Sequence, residues 1–250
     1  MKNTLLLLSF LLLVGTSCSK LESNEKKYVN AMMGNDYDEV YKAYEDFSNW
    51  LMADSATMSY DFPLMREKLG MKIATSPDRK VRCYSWVTSQ GDTTSSYSNV
   101  IQWIVNGKMA AYSGPLDAML TGRKPNVARQ WSLAHSIDTI FQIDGEKEPI
   151  YLIVQSYVNE LGYTFSYVSA ALNTGMALKI LPFFFDGIET AGNRQFINDN
   201  NVNMKELIKW DPQGKKLYAY LTDDNERVMP GKYETYTLGE QQFTKDVTEQ

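Results

Sequence analysis

The chain has 250 residues, 44% of them hydrophobic and 22% charged, with a formal net charge of −5. This is the composition of a globular protein with one good-sized core or two small ones, and the mild negative charge argues against nucleic acid as a partner. Cysteine occurs only at Cys18 and Cys83 and histidine only at His135, too few for a framework of several disulfides, or for the common zinc ligand sets without carboxylates doing most of the binding.

Met1 to Ser17 carry the parts of a secretory signal. Lys2 supplies the positive start, Leu5–Leu8 and Phe10–Val14 form an apolar run broken only by Ser9, and Gly15-Thr16-Ser17 is a small-residue zone ending at Cys18. The run is too short for a membrane span of about 20 residues, and no later segment approaches that length. Gly15-Thr16-Ser17-Cys18 resembles the lipobox of bacterial lipoproteins, with Gly15 where that family prefers Leu or Val, a relaxation found in Bacteroidetes-type lipoproteins. The resemblance implies a signal cut before Cys18, a diacylated Cys18 thiol and a lipid anchor in the cell envelope, at the outer membrane. Which face the protein occupies stays open. Gly15 and Ser17 also satisfy the small-x-small rule of ordinary signal peptidase, which would leave Cys18 unmodified and the protein secreted. Ser19 to Lys27 is polar and reads as a flexible leash, so 1–17 is assigned to the signal and 18–30 to the lipidated tether.

Residues 31–76 read as a helical cap. Tyr37, Val40, Tyr41, Tyr44, Phe47 and Leu51 fall at helical spacing, with Asn35 or Asp36 as cap and Asp36, Asp38 and Glu39 at the positive end. A second short helix is expected over Pro63–Leu69, stopped by Gly70.

From 77 to 250 the pattern changes to alternation and tight turns. Strands are expected at Lys80–Thr88, Tyr97–Val105, Lys108–Tyr112, His135–Ile143, Pro149–Val158, Tyr163–Leu172, Met176–Phe185, Asn203–Trp210, Lys215–Leu221 and Tyr233–Leu238. Asn106-Gly107, Asp144-Gly145, Asp186-Gly187 and Pro212-Gln213-Gly214 punctuate them as turns. Pro115–Asn126 and Glu189–Asn201 read as long irregular stretches. No long helix alternates with the strands, which argues against a parallel sheet. The expected fold is α+β: short N-terminal helices followed by a mostly antiparallel β-sandwich or open barrel. The glycine turns would also suit a small propeller, but no repeat at blade spacing supports one. Ser76-Pro77-Asp78, Tyr84-Ser85-Trp86 and Gly91-Asp92-Thr93 together resemble a segment of uncharacterised Bacteroidetes lipoproteins. Physically the segment reads as a turn, a strand and a return strand.

No catalytic motif stands out. There is no Gly-x-Ser-x-Gly elbow, and a Cys83–His135 dyad competes with a simpler reading in which Cys83 alternates with Val81 and Val87 as a buried, inert thiol. Calcium is the one cofactor left open, through Asn198-Asp199-Asn200-Asn201 or Asp223-Asp224-Asn225-Glu226; neither has EF-hand spacing, and solvated turns use the same residues. Asp92, Asp186 and Asp211 sit at turns, where each is more simply a turn former than half of a glycosidase pair. Phosphate-binding glycine loops are absent.

Aromatic rows are the remaining clue. Arg82, Tyr84 and Trp86 share one strand face, and Tyr218 and Tyr220 share another. Exposed, such rows stack on sugar rings; buried, they cover one side of a sandwich. Tyr84, Trp86, Tyr218 and Tyr220 are therefore the candidate ligand-binding residues, and Cys18 is the lipidation site. The expected function is a non-catalytic binding module for a glycan or an envelope protein, as the lipoprotein resemblance implies. The alternatives are a glycan hydrolase with paired carboxylates and a structural protein of the envelope.

Overall fold

The computed structural model describes residues 19–90, 95–105, 108–113, 136–145, 148–158, 163–173, 178–181, 190–197, 207–225, 227–240 and 242–246. The chain divides into two compact units, Met1–Met71 and Lys72–Gln250. It is α+β and mostly sheet, with open antiparallel sheets, none closed into a barrel.

In the first unit, residues 19–32 form helix α1. The leash expected over Ser19–Lys27 is thus helical, and the physical reason is a stripe that polar neighbours mask. Leu21, Glu25, Val29 and Met32 recur at helical spacing, and all four are buried. Helix α2 spans Tyr37–Ala53 and is capped by Asp36, whose carboxylate accepts the N–H groups of Asp38 and Glu39, both at 3.0 Å. A 3-10 turn follows at Ser55–Met58, then helix α3 at Pro63–Leu69. Gly70, with φ of 59°, closes α3 in the left-handed conformation that glycine adopts without strain.

Helix α3 has no cap of its own, because Phe62 precedes it in a left-handed conformation with φ of 50°. Glu25 of α1 supplies one from a distance in sequence: its carboxylate accepts the Met65 N–H at 2.9 Å and the Tyr60 hydroxyl at 2.7 Å. The Phe62 backbone is held against its preference by ring packing. Its ring is 5.8 Å from Phe47, 5.7 Å from Trp50 and 4.9 Å from Tyr60, all edge-to-face. Tyr28 of α1 stacks on Trp50 at 5.4 Å, so α1 is part of this aromatic core.

In the second unit the sheets keep to chain order. The first contains β1 (Lys72–Thr75), β2 (Val81–Gln90), β3 (Ser95–Val105) and β4 (Lys108–Ser113) as a meander. The second contains β5 (Ser136–Ile143), β6 (Ile150–Val158) and β7 (Tyr163–Asn173), with β8 (Leu178–Ile180) and β9 (Thr190–Ile197) sharing the far edge of β7 end to end. The third is again a meander, of β10 (Ile208–Asp211), β11 (Lys216–Thr222), β12 (Val228–Leu238) and β13 (Phe243–Lys245).

The second sheet is the middle layer. Tyr151, Ile153 and Ala171 pack with Val81, Cys83, Ile101 and Trp103 of the first sheet. Leu152, Val154, Val168 and Ala170, on the opposite face, pack with Leu217, Ala219, Tyr236 and Phe243 of the third. This double burial matches the unbroken apolar run Ile150–Val154.

Three expectations change. Residues Lys72–Thr75, assigned to the helical cap, form β1, so the units part at Met71 and not at 76. Within Glu189–Asn201, expected to be irregular, Thr190–Ile197 is a strand, paired to β7 from Tyr163↔Ile197 to Ser169↔Thr190. Its polar sequence, without apolar alternation, hides the strand. Val228–Lys232 and Phe243–Lys245 add strand beyond that expected at the C-terminal end. Cys18, Pro115–Asn126, His135, Asp92, Phe183–Phe185, Asp186 and Asn198–Asn201 lie outside the described residues.

Candidate functional site

The two aromatic rows have different fates. Arg82, Tyr84 and Trp86 share a face of β2, as alternation requires, but that face is closed: Tyr84 is 0% and Trp86 1% exposed. The Tyr84 hydroxyl donates to Gln102 on the neighbouring strand, and the Arg82 guanidinium lies 5.3 Å from the Tyr84 ring. These side chains form a buried polar-aromatic layer, and an exposed stacking platform is not what the structure makes of them. Tyr220, beside a bulge in β11, is buried as well.

Tyr218 differs. It is half-buried on the outer face of the third sheet, where Lys209, Tyr218 and Thr235 lie in one cross-strand row and Asp211, Lys216, Thr237 and Thr244 in the next. The Tyr218 ring meets Tyr233 edge-to-face at 6.1 Å. Lys209 donates to the Tyr233 hydroxyl at 2.6 Å, and its ammonium lies 4.7 Å from that ring's centre. Among the described residues no carboxylate pairs with Lys209. At the next row, Asp246 accepts Lys216 at 3.1 Å and the Thr237 hydroxyl at 2.6 Å. The hydrogen bond from Thr237 is the main influence holding the Asp246 carboxyl below its ordinary range, with Lys216 assisting against desolvation. Two tyrosines, an ammonium that no described carboxylate compensates and threonine hydroxyls thus share one face of a four-stranded sheet. Such a face offers π surface to the apolar side of a sugar and charge or hydrogen bonds to its substituents.

Tyr233 and Lys209 escaped the sequence reading. The signal for both was strand pairing: aligning Lys215–Leu221 with its neighbours through the Pro212–Gly214 turn sets Lys209 opposite Tyr218. That turn is built as expected, with Asp211 accepting the Gln213 N–H at 3.0 Å and Gly214 seated where a Cβ would strike the Asp211 carboxylate.

The other candidates serve architecture. Ser76-Pro77-Asp78 makes the β1–β2 turn. One Asp78 oxygen accepts Ser76 Oγ at 2.6 Å and Lys80 N–H at 3.0 Å, the other accepts the Tyr151 hydroxyl at 2.9 Å, and Asp78 N–H donates to Gln142 at 3.1 Å. The turn is therefore clamped to the middle sheet. Burial, reinforced by Asp78, pushes the Tyr151 hydroxyl well above its ordinary value of 10.0. Asp138, also buried, accepts Ser156 Oγ at 2.6 Å and the half-exposed Lys72 ammonium at 2.8 Å, joining β1 to β5 and β6. Cys83 is fully buried in the core between the first two sheets, and burial alone drives its thiol far above the ordinary range, as expected of an inert thiol. In the Asp223 loop, the Asp223 carboxylate already accepts the N–H groups of Asn225 and Arg227, at 2.9 and 3.0 Å. Among the described residues no group of three or more His, Cys, Asp or Glu side chains converges as a metal site, and no helix is long and apolar enough to cross a membrane. Comparison with protein-family models, with curated proteins and with solved structures finds no match to this chain.

Proposed function

We propose that this chain is a lipid-anchored protein of the bacterial cell envelope, attached through Cys18, and that it binds glycan without catalysis on the outer face of its third sheet. The address is supported by Gly15-Thr16-Ser17-Cys18 behind a short apolar run. The binding reading is carried by one observation: Tyr218 and Tyr233 stand half-exposed, edge-to-face, beside an ammonium that no described carboxylate neutralises. Tyr218 was expected at such a surface; Tyr233 and Lys209 join it, while Tyr84, Trp86 and Tyr220 support the sheets from within. Because Lys209 carries that charge, acidic sugars are favoured over neutral ones.

The test is thermal unfolding of the chain from Ser19 onward against neutral and uronate-containing oligosaccharides, with and without calcium. A ligand at 100 times its Kd adds about 2.7 kcal/mol, a rise of roughly 5–10 °C for a domain of this size. The expected result is a rise that Tyr218→Ala and Tyr233→Ala each abolish and that Lys209→Gln weakens only for acidic sugars. A panel that leaves all four proteins unshifted refutes the reading.

A further inference from the structure

We infer that the anchored protein has no flexible tether: the chain is helical from the residue after the acylated one, and helix α1 lies against the bilayer headgroups, which Lys20 and Lys27 contact. The inference rests on the lipoprotein reading of Cys18 and concerns the residues directly after it. Residues from Ser19 on are helical, and Leu21, only three positions beyond Cys18, is already buried in the first unit. Glu25 is 0% exposed and pinned by Tyr60 and the Met65 N–H, and Tyr28 is stacked on Trp50. None of this helix is available to unwind into a leash without breaking that core. Three residues reach at most about 11 Å, whereas a nine-residue leash could extend to about 30 Å. Acyl chains in the hydrocarbon place Cys18 at headgroup level, so the folded unit is held at the surface.

The exposed side of α1 suits that position. Lys20, Ser23, Lys27 and Asn30 recur at helical spacing on the face opposite Leu21, Glu25, Val29 and Met32, and all four are exposed. No carboxylate stands in that row, Glu22 lying toward the flank. With α1 lying along the surface, the Lys20 ammonium and the Lys27 ammonium, which sits 5.2 Å from the Tyr28 ring, both come within about 8 Å of the headgroups, one Debye length at physiological salt, and meet lipid phosphates with little screening. The partner is therefore an anionic lipid surface.

The experiment uses the full-length precursor, processed in a bacterial cell, purified from its membranes and placed in phosphatidylcholine vesicles with or without phosphatidylglycerol. Ser23→Cys provides an exposed label site, and buried Cys83 leaves the labelling selective. Headgroup nitroxide lipid is expected to quench a fluorophore at position 23 several-fold more strongly than in a variant with a twelve-residue Gly-Ser insert between Ser19 and Lys20. Lys20→Gln with Lys27→Gln is expected to reduce quenching on the anionic vesicles. Equal, weak quenching in parent and insert variants, with the glyceride on Cys18 established by mass of the N-terminal peptide, overturns the inference and leaves the anchor standing. A Cys18 found without glyceride overturns the anchor itself, and this inference with it. Quenching that ignores both lipid charge and the lysine substitutions overturns the assignment of Lys20 and Lys27.

Discussion

Replacing Glu25 by alanine tests whether α1 is a structural member of the first unit. Glu25 accepts two hydrogen bonds there, from the Tyr60 hydroxyl at 2.7 Å and the Met65 N–H at 2.9 Å. Hydrogen bonds to a charged group contribute about 1.5–3 kcal/mol each, offset by the cost of burying the carboxylate. Tyr60 is only partly buried and regains water when Glu25 is removed; the Met65 N–H is buried and does not. An orphaned buried donor costs about 1–3 kcal/mol, and the loss of packing around a fully buried side chain adds to it. We expect Glu25→Ala to destabilise by about 3 kcal/mol, and Glu25→Gln, which keeps the shape and one acceptor oxygen, by about half as much. Apart from a single helical residue at Leu207, the helices of the described residues lie in this unit, so urea unfolding followed by circular dichroism at 222 nm reads it directly. A Glu25→Ala midpoint within error of the parent would refute the reasoning and return Ser19–Lys27 to the role of a leash.

The second unit offers two more tests. Tyr151 is held neutral by burial and by Asp78, so its folded pKa lies above the ordinary 10.0. The stabilisation this gives is fully present below pH 10.0 and is lost as pH rises through the folded value; Tyr151→Phe should therefore cost about 1.5–3 kcal/mol at neutral pH and show a shallower alkaline decline in urea titrations. Parallel pH profiles would refute this. Cys83 should be inert to a thiol-specific chromogenic disulfide in the native protein and react only along the urea transition, because its thiol is both buried and driven up in pKa. Rapid native labelling would place Cys83 at a surface.

What could be read from the chain alone depended on where the deciding force was local. Asp36 capping α2, Pro63 and Gly70 bounding α3 and the Asp211–Gly214 turn are each set by residues close together in the chain, and each falls where its residues predict. The alternation of β2 was equally visible. Which of its faces meets water was not, because alternation marks two faces without saying what covers them. Tyr84 and Trp86 on one face and Cys83 on the other are all buried, so both faces of β2 are covered.

The same limit explains the reassigned N-terminus. Seven of the nine residues from Ser19 to Lys27 are charged or serine, and composition weighs them equally. Folding does not: Leu21 and Glu25 lie on one helical face, and Glu25 becomes structural only because Phe62, locked left-handed by its ring neighbours, leaves α3 without a cap. A carboxylate in an expected tether thus acquires its role from an uncapped N–H 40 residues away. The surface of the third sheet obeys the same logic in reverse. Tyr218 gains its neighbours only once cross-strand register sets Lys209 beside it and packing brings Tyr233 against its edge. In both places the residue type is written locally, and the partner that gives it a setting is supplied by the fold.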